Sequence, residues 1–267
     1  MNKTNLITGS STGIGKETAI YCANKGWNVA ASMRNPSKAG NEFNHPNIKI
    51  IQIDVLNEQQ IKAGIAECID VFGGIDVVFN NAGYALVGAF EAMTDEQIRK
   101  QFDTNVFGVM NVTRAILPYF RSKNEGMIIN TSSMGGLITF PLYSVYHATK
   151  WALEGFMESL QFELKGKNIR LKNIEPGAIK TDFENSLTFV SNDDYKDYAP
   201  SVHKNMLDTY KNAPGADVVA KRVFEAANDT GFSLRYPVGG FAPVLLFLRR
   251  LLPGSWFRAI VSMSTEK

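Results

Sequence analysis

Strand and helix signals alternate from one end of this chain to the other, and this alternation restricts its fold more than any other feature. A nearly continuous apolar run at 75–80 is typical of a strand that is buried on both faces. The segments between such runs show helical periodicity and are long enough to connect one parallel strand to the next. Repeated units of this kind predict an α/β fold, in which helices cover both faces of a doubly wound parallel sheet.

The expected elements follow from apolar patterns and from capping signals. Asn57 is the expected N-cap of one helix, and Thr94 with Gln97 has the pattern of a capping box at the start of another. Strands are expected at 5–8, 27–33, 48–54, 75–80, 127–131, 169–174 and 233–236, and helices at 13–25, 57–72, 94–119, 144–165 and 217–227.

No change in composition marks a domain boundary, so residues 1–267 are expected to form a single domain. The stretch 182–214 is polar and lacks clear periodicity. A segment of this length in a compact domain is usually a lid or a binding segment, and a mobile surface loop is the alternative. Residues 237–267 are expected to be a C-terminal extension.

Composition excludes several classes of function. Hydrophobic residues make up 45% of the chain and the net charge is +2, which gives no electrostatic case for binding nucleic acid. The two cysteines, Cys22 and Cys68, both fall in expected helices, so we expect no disulfide and a reduced, cytoplasmic setting. The three histidines are scattered, and no metal site is expected.

Two segments bear on targeting and membranes. The first eight residues are too short and too polar for a signal peptide. Residues 241–252 read F-A-P-V-L-L-F-L-R-R-L-L, an apolar run that two arginines interrupt and that is too short to span a bilayer. This run is expected to be part of the lid, a subunit interface or a peripheral membrane contact, and we expect the membrane contact least.

A glycine-rich turn joins the first strand to the first helix. The turn reads T-G-S-S-T-G-I-G from residue 8 to residue 15. Its glycines allow the backbone to approach a pyrophosphate, and the helix N-terminus offers free N–H groups and a positive dipole end. The alternative is a turn that only packs the helix on the strand, since the spacing departs from the usual G-x-G-x-x-G. The residues expected to bind a dinucleotide here are Gly9, Ser11, Thr12, Gly13, Ile14 and Gly15.

The end of the second strand indicates which dinucleotide is used. An acidic residue at this point would bind the ribose 2′-hydroxyl of NAD, whereas an arginine accommodates the 2′-phosphate of NADP. The strand ends with Met33 and Arg34 and offers no carboxylate. We therefore expect NADP(H) to be favoured over NAD(H), with a solvated arginine as the alternative.

Two other strand ends are expected to border the same ligand. Asn81, Ala82 and Gly83 follow the fourth strand, and small residues there allow a flat ligand to approach the backbone closely. Asp54, with Val55 beside it, ends the third strand. Its carboxylate can accept a hydrogen bond from the adenine amino group or can simply cap a turn, and the sequence leaves both alternatives open.

Tyr146 and Lys150 form the most informative chemical pair. They lie four positions apart in an expected helix and therefore on one face of it. A nearby ammonium group favours the phenolate and lowers the pKa of the tyrosine, which makes the tyrosine usable as a general base. A dinucleotide loop upstream and a proton-transfer pair downstream together predict hydride chemistry.

These motifs together resemble the short-chain dehydrogenase/reductase family. T-G-x-x-x-G-I-G, N-N-A-G, N-x-x-G, S-S before M-G-G, Y-x-x-x-K and P-G-x-x-x-T occur in that family's order and spacing, over residues 3–181 and more weakly beyond. The resemblance implies a Rossmann-type single domain with a seven-stranded parallel sheet. It also implies a homodimer or homotetramer formed through the helices at 94–119 and 144–165. The Met-Arg strand end and the late R-Y-P-V-G segment are similar to the hydroxysteroid and retinol dehydrogenase branch.

The resemblance also implies roles for individual residues. The catalytic tetrad is Asn105, Ser133, Tyr146 and Lys150, in which Ser133 bonds the substrate oxygen and Tyr146 passes the proton. Lys150 stabilises the tyrosinate and holds the nicotinamide ribose, and Asn105 orients a water that links Lys150 to solvent. Four residues of P-G-A-I-K-T are expected to line the nicotinamide: Pro176, Gly177, Ile179 and Thr181.

We therefore expect an NADP(H)-dependent oxidoreductase that interconverts a carbonyl and an alcohol on an apolar small molecule. A cofactor-binding regulator without turnover, and an epimerase or dehydratase of the same superfamily, are the alternatives. The residues expected to form an apolar substrate pocket are Tyr84, Leu86, Leu137, Ile138, Phe140, Leu142, Tyr143, Phe183, Leu187 and Phe189.

Overall fold

A single parallel sheet of seven strands organises the chain in the computed structural model, which describes residues 2–181 and 187–265. The strands are β1 (Thr4–Ile7), β2 (Asn28–Met33), β3 (Ile48–Gln52), β4 (Val77–Asn80), β5 (Leu86–Gly88), β6 (Gly126–Thr131), β7 (Ile169–Pro176), β8 (Thr188–Val190) and β9 (Arg235–Val238). The helices are α1 (Gly13–Asn24), α2 (Glu58–Phe72), α3 (Asp95–Phe102), α4 (Gly108–Lys123), α5 (Ser144–Glu163), α6 (Tyr198–Lys211), α7 (Ala216–Asn228), α8 (Ala242–Leu251) and α9 (Gly254–Thr265).

The strands are ordered β3-β2-β1-β4-β6-β7-β9, and every neighbouring pair is parallel. This arrangement confirms the predicted single-domain α/β fold and its doubly wound sheet. The chain moves outward in one direction from β1 and in the other from β4, so the order reverses between these two strands. A crevice opens at the carboxyl ends of the strands at such a reversal, and both the glycine turn and the N-N-A-G segment lie there.

Each face of the sheet has its own hydrophobic core, because successive residues of a strand point to opposite faces. Leu6 packs in the core under α2, α4 and α5, whereas Ile7 packs in the core under α1 and α7. The two cysteines are free and buried, with Cys22 in one core and Cys68 in the other. The apolar run at 75–80 is thus explained by burial on both faces.

The helix predicted at 94–119 is interrupted. Its capping box between Thr94 and Gln97 is confirmed, but α3 ends at Phe102 and a π-helical turn, Asp103–Phe107, separates it from α4. A π turn holds one more residue than an α turn and often occurs at functional sites. Asn105 lies within this turn, where its side chain bonds to the backbone of Tyr84.

Residues 187–214, the described part of the stretch 182–214, are more ordered than the sequence indicated. Residues 182–186, including the predicted pocket residue Phe183, lie outside the described residues. Beyond them, β8 pairs with β5 in a small parallel sheet, and α6 follows. The helix was missed because its fully buried positions, Ala199 and Val202, make too narrow an apolar stripe to reveal its period.

The C-terminal region forms two further helices, α8 and α9, which were not predicted as elements. Their inner faces pack on the segment that follows β6, through Leu246, Phe257, Val261 and Ile138. No helix in the described part of the chain is long and apolar enough to cross a bilayer.

Candidate active site

A cavity of about 630 Å³ lies along the carboxyl ends of the central strands. It brings together residues from the glycine turn, from the ends of β2, β3, β4, β6 and β7, and from the start of α5. Of the expected site residues, those that line it are Gly9, Ser11, Thr12, Gly13, Ile14, Arg34, Asp54, Val55, Asn81, Ala82, Gly83, Ser133, Tyr146, Lys150, Pro176, Gly177, Ile179 and Thr181. Gly15 and Asn105 are absent from this lining.

The glycine turn is shaped by close packing beneath it. Gly9 has a φ of +66°, and a Cβ there would lie 2.7 Å from the Cα of Ala82. A Cβ at Gly15 would lie 2.4 Å from the carbonyl oxygen of Gly9. Gly15 therefore allows α1 to pack closely against the turn, and its predicted contact with a dinucleotide stays a prediction.

Asn81 holds the glycine turn in place. Its Nδ2 donates to the carbonyl oxygens of Thr8 at 3.2 Å and Gly9 at 3.0 Å. The hydroxyl of Thr8 in turn accepts from the backbone N–H groups of Asn81 and Ala82. The N-N-A-G segment thus connects the end of β4 to the turn after β1, in addition to bordering the cavity.

The turn fits a pyrophosphate on two counts. Thr12 is the N-cap of α1, and its side chain makes no capping hydrogen bond, so the first N–H groups of this helix are left for another acceptor. The glycines leave the backbone open to the cavity, and Gly13 has a φ of +56°. An uncapped helix N-terminus of this kind suits a phosphate.

Arg34 lies on the cavity directly after β2, with an exposed side chain. No ion pair holds its guanidinium within residues 2–181 and 187–265. Asp54 is more constrained, because its Oδ1 accepts from the N–H of Leu56 at 3.0 Å. Asp54 therefore caps a turn while it also borders the cavity.

Ser133, Tyr146 and Lys150 meet in one part of the cavity. The side chains of Ser133 and Tyr146 are hydrogen-bonded to each other, and the Ser133 Oγ also accepts from the N–H of Gly135 at 3.0 Å. The Nζ of Lys150 lies 5.7 Å from the centre of the Tyr146 ring and donates to the carbonyl of Thr131 at 2.7 Å. The neighbouring Ser132 is 1% exposed, and its buried Oγ has no hydrogen-bond partner among the residues that the structure describes.

The pKa of Tyr146 moves in the direction opposite to the one expected. Burial raises it above its usual value, the nearby Tyr210 of α6 raises it further, and only the hydrogen bond with Ser133 lowers it. The ammonium of Lys150 contributes no lowering of the Tyr146 pKa, and burial lowers the pKa of Lys150 itself to about 8. Glu154, one turn further along α5, opposes that lowering. Tyr146 is thus a protonated phenol at neutral pH.

Asn105 is buried and hydrogen-bonded to Tyr84 and Thr149. It is 1% exposed; its Oδ1 accepts from the N–H of Tyr84 at 3.1 Å, and its Nδ2 donates to the Tyr84 carbonyl at 2.9 Å and to the Thr149 hydroxyl at 3.2 Å. Its amide therefore anchors the segment after β4. Its expected role in orienting a water that links Lys150 to solvent stays a prediction.

His147 follows Tyr146 in the sequence, but its burial and its lowered pKa do not suit it to carry a proton. It is 4% exposed, its ring stacks on Tyr143, and burial lowers its pKa to about 4. The imidazole is therefore neutral at neutral pH.

The substrate end of the cavity differs from the predicted pocket. Tyr84, Phe140 and Tyr143 line it, whereas Leu137, Ile138, Leu142, Leu187 and Phe189 do not, and Leu86 is core. The sequence missed the contribution of α6, and only the helix period of that segment could have indicated it. The residues of α6 that line the cavity are Val202, Asn205, Met206, Thr209 and Tyr210.

Comparisons with known proteins agree with this geometry. A family model described as short chain dehydrogenase matches residues 3–189. An uncharacterized oxidoreductase of Schizosaccharomyces pombe is 38% identical over 230 residues, which is 85% of this chain and 97% of that protein. A 3-ketodihydrosphingosine reductase of Bacteroides thetaiotaomicron is 36% identical over 196 residues, which is 72% of this chain and 71% of that protein.

Solved structures give the same result. A short-chain dehydrogenase from Streptomyces avermitilis superposes with a TM-score of 0.83 at 30% identity and covers 98% of this chain and 96% of its own. ElxO with NADP bound superposes with a TM-score of 0.75 at 27% identity and covers 89% of this chain and 98% of its own.

Proposed function

Because this chain belongs to the short-chain dehydrogenase/reductase family of NAD(P)-dependent oxidoreductases, we propose that it uses NADP(H) to interconvert a carbonyl and an alcohol on an apolar small molecule. One observation carries the proposal. A hydrogen-bonded Ser133–Tyr146 pair with Lys150 beside it shares a single cavity with an uncapped helix N-terminus. The Ser133–Tyr146 pair with Lys150 would supply the proton, and the helix N-terminus would bind the cofactor phosphates.

The cofactor would be held along the carboxyl ends of the strands. The start of α1 and the glycine turn would bind the pyrophosphate, and the residues from Pro176 to Thr181 would border the nicotinamide. The bound nicotinamide gives or accepts the hydride. In Asn81 the chain has a residue that keeps the turn in its open shape, because its amide bonds both Thr8 and Gly9.

Tyr146 transfers the proton, and Ser133 holds the substrate oxygen. A phenol whose pKa is raised remains protonated, so it can donate to the oxygen of a carbonyl as that oxygen gains charge. This supports Tyr146 as the proton donor when the enzyme reduces a carbonyl. Ser133 already bonds Tyr146, and a substrate oxygen placed between the two hydroxyls would receive a hydrogen bond from each.

Lys150 supports this step with its charge. Its ammonium stabilises negative charge on the Tyr146 oxygen after the proton has left, and it can bind a ribose hydroxyl. Its bond to the Thr131 carbonyl fixes where the ammonium lies. Since its pKa is about 8, the charge is present at neutral pH and is lost in mildly alkaline solution.

The preference for NADP(H) rests on Arg34. Its side chain is exposed at the cavity, without an ion pair in the described part of the chain, and no carboxylate stands beside it at the end of β2. A guanidinium presents a planar fork that suits a phosphate. ElxO, one of the similar structures, has NADP bound.

The apolar substrate class rests on the lining contributed by Phe140, Tyr143, Val202 and Met206. We propose that residues 182–214 act as the substrate lid, because α6 lies over Tyr143 and Tyr146. One relative is named as the reductase of a keto compound, 3-ketodihydrosphingosine. That name supports a keto substrate for this chain too.

We also propose a cytoplasmic homodimer or homotetramer. Its support is the exposure of Phe107, Trp151 and Phe162 in and beside the two long helices, at 53%, 45% and 76%. The two buried free thiols suit a reducing compartment. Sedimentation of the wild type and of Phe162→Asp would test the assembly, and a wild type that sediments as a monomer would contradict it.

The function is tested by following NADPH and NADH fluorescence with a panel of aldehydes and ketones. Ketones with apolar chains should be reduced with NADPH, and the rate should rise with chain length. Cofactor binding without turnover on any carbonyl would contradict the proposal and favour a cofactor-binding regulator.

A further inference from the structure

The two C-terminal helices expose an unusual amount of apolar surface. The large apolar side chains on the outer face of α8 and at its start are Phe241, Val244, Phe247 and Leu251, which are 78%, 56%, 60% and 63% exposed. Those of α9 are Trp256, Ile260 and Met263, which are 66%, 38% and 61% exposed. We call this set the C-terminal apolar face. An exposed set of this size on a globular protein usually marks an interaction site.

Both helices are apolar on two sides. The inner side of α8 and α9 is already used, because Leu246, Phe257 and Val261 pack against Ile138. The outer residues recur at intervals of three and four positions, so they form stripes along the other side of each helix. Folding of this domain therefore explains the inner side and leaves the outer side without a role.

The charge of this region points to the kind of partner. Between residues 241 and 265 the sequence has three arginines and no aspartate or glutamate. The guanidinium groups of Arg249 and Arg258 converge where α8 meets α9, at 4.0 and 3.5 Å from the position of a Cβ on Gly254. None of the three arginines forms a salt bridge within the described ranges. Two like charges that converge without an acid are well placed for a phosphate group.

We propose that the C-terminal apolar face docks on the surface of an anionic lipid bilayer. The two helices are too short to span a bilayer, and they carry phenylalanine, tryptophan and leucine beside arginine. This composition is typical of helices that lie in the membrane interface. In the docked protein, the outer apolar stripes contact the boundary between headgroups and acyl chains, and the arginines bind the lipid phosphates. The sequence alone gave the membrane contact the least weight, because it does not reveal which apolar residues are already used in the core.

The helices that carry the face border the cavity on their inner side. Met134 and Phe140 pack against the inner side of the C-terminal helices and also line the cavity. Thr265, at the end of α9, lines the cavity as well, and its carbonyl accepts from the Asn205 amide of α6 at 3.3 Å. A protein docked in this way would hold the substrate end of its cavity close to the lipid, which suits an apolar substrate. This last step rests on the proposed function, whereas the docking itself does not.

Docking is tested by co-sedimentation of the full chain with vesicles of phosphatidylcholine alone or mixed with phosphatidylglycerol. Each arginine near an anionic surface contributes about fivefold to partitioning, so the mixed vesicles should bind about 10²-fold better. Raising the salt concentration should reduce this difference, and Arg249→Ala with Arg258→Ala should remove most of it. A wild type that binds neither vesicle, or binds both equally, would overturn the proposal.

Matched variants locate the contact. Phe247→Asp and Trp256→Asp should each lower vesicle binding at least about tenfold, while Phe90→Asp, at a similarly exposed position on another element (62% exposed), should not. Equal losses in all three would overturn the assignment of the face. So would a self-association that Phe247→Asp abolishes in a protein that does not bind vesicles, since the face would then join two copies of this chain.

Fluorescence gives a readout that does not depend on a disruptive substitution. Trp256 should shift to shorter wavelength when anionic vesicles are added, and Trp256→Phe should lose that shift while Trp151→Phe retains it. The inactive Tyr146→Phe protein should bind vesicles like the wild type. Vesicle binding without enzymatic turnover would leave the docking intact and reject the proposed function, so the two can fail separately.

Discussion

Lys150 donates from its Nζ to the backbone carbonyl of Thr131 at 2.7 Å, and this bond connects α5 to the end of β6. The hydroxyl of Thr131 donates to the Oδ1 of Asn81 at 3.1 Å, and the Nδ2 of Asn81 donates to Gly9 at 3.0 Å. A single chain of hydrogen bonds therefore runs from the proposed proton-transfer pair to the turn proposed to bind phosphate. The positions of the proton-transfer pair and the glycine turn relative to each other are fixed because both contact the carboxyl ends of the central strands.

Replacing Tyr146 with phenylalanine should abolish the proton transfer and leave the cavity intact. Turnover should fall by about 10²-fold or more, the scale of lost general acid catalysis. NADPH affinity, measured by fluorescence titration, should change little. Near-normal turnover in this variant would reject Tyr146 as the proton donor.

The activity should depend on pH through Lys150. Burial lowers the pKa of its ammonium to about 8, so the charged form dominates below that pH and is lost above it. In the reductive direction, kcat/KM for NADPH should therefore fall as the pH rises through about 8, because this parameter reports the free enzyme.

The variant Lys150→Met should lower turnover and NADPH affinity together, because one ammonium serves both the tyrosine and the ribose. It should also lack the alkaline decrease at the pKa of about 8. If the variant keeps the wild-type NADPH affinity and the same pH profile, Lys150 does not have this double role.

Two adjacent serines provide an internal control. Ser133→Ala removes the hydroxyl that bonds Tyr146 and should lower turnover by about 10²-fold, as for loss of a donor to a developing oxyanion. Ser132→Ala removes a buried hydroxyl that bonds no group in the described part of the chain, and turnover should change little. The reverse ranking in steady-state assays would show that the substrate oxygen bonds Ser132.

Arg34 should determine the choice of cofactor. A charge-assisted contact to a phosphate contributes about 1.5–3 kcal/mol, so the wild type should prefer NADPH to NADH at least about tenfold. Arg34→Ala should remove most of this preference by weakening NADPH alone, and Arg34→Asp should favour NADH. Met33→Asp is a poorer test, since Met33 is 2% exposed and its replacement would bury a carboxylate.

The control for general charge is Arg99→Ala, an exposed arginine on α3 outside the cavity. Its cofactor preference, measured in the same titrations, should match that of the wild type. Equal affinities of the wild type for both cofactors, or a preference that survives in Arg34→Ala, would mean that Arg34 only contacts solvent.

Asn105 should contribute to stability as well as to activity. Asn105→Ala leaves the partly buried N–H of Tyr84 without its partner, while the Tyr84 carbonyl keeps its bond from Gln101, and an unsatisfied group of this kind costs about 1–3 kcal/mol in the free energy of unfolding. Urea unfolding should show this loss, while Asn44→Ala at an exposed site should stay within about 0.5 kcal/mol of the wild type. An Asn105→Ala protein as stable as the wild type would contradict the anchoring role.

The sequence by itself determined the doubly wound sheet, and most residues that line the cavity could be predicted from it. Both follow from local patterns: a strand buried on two faces is apolar throughout, and a glycine turn leads directly into α1. The pairing of Tyr146 with Lys150 could be predicted for the same reason, since helix geometry alone places residues four apart on one face.

Only the tertiary structure decided how these groups behave. The pKa of Tyr146 rises because burial and the approach of Tyr210 outweigh the hydrogen bond with Ser133. Spacing along one helix reveals neither the burial nor the position of Tyr210. Asn105 anchors the segment after β4 because the backbone of Tyr84, distant in sequence, supplies its hydrogen-bond partners. Long-range contacts also decide which apolar residues of α8 and α9 remain exposed, because these helices pack on a segment that is distant in sequence. A local pattern determines which residues share a face of a helix or strand, whereas burial and long-range contacts determine which groups that face contacts.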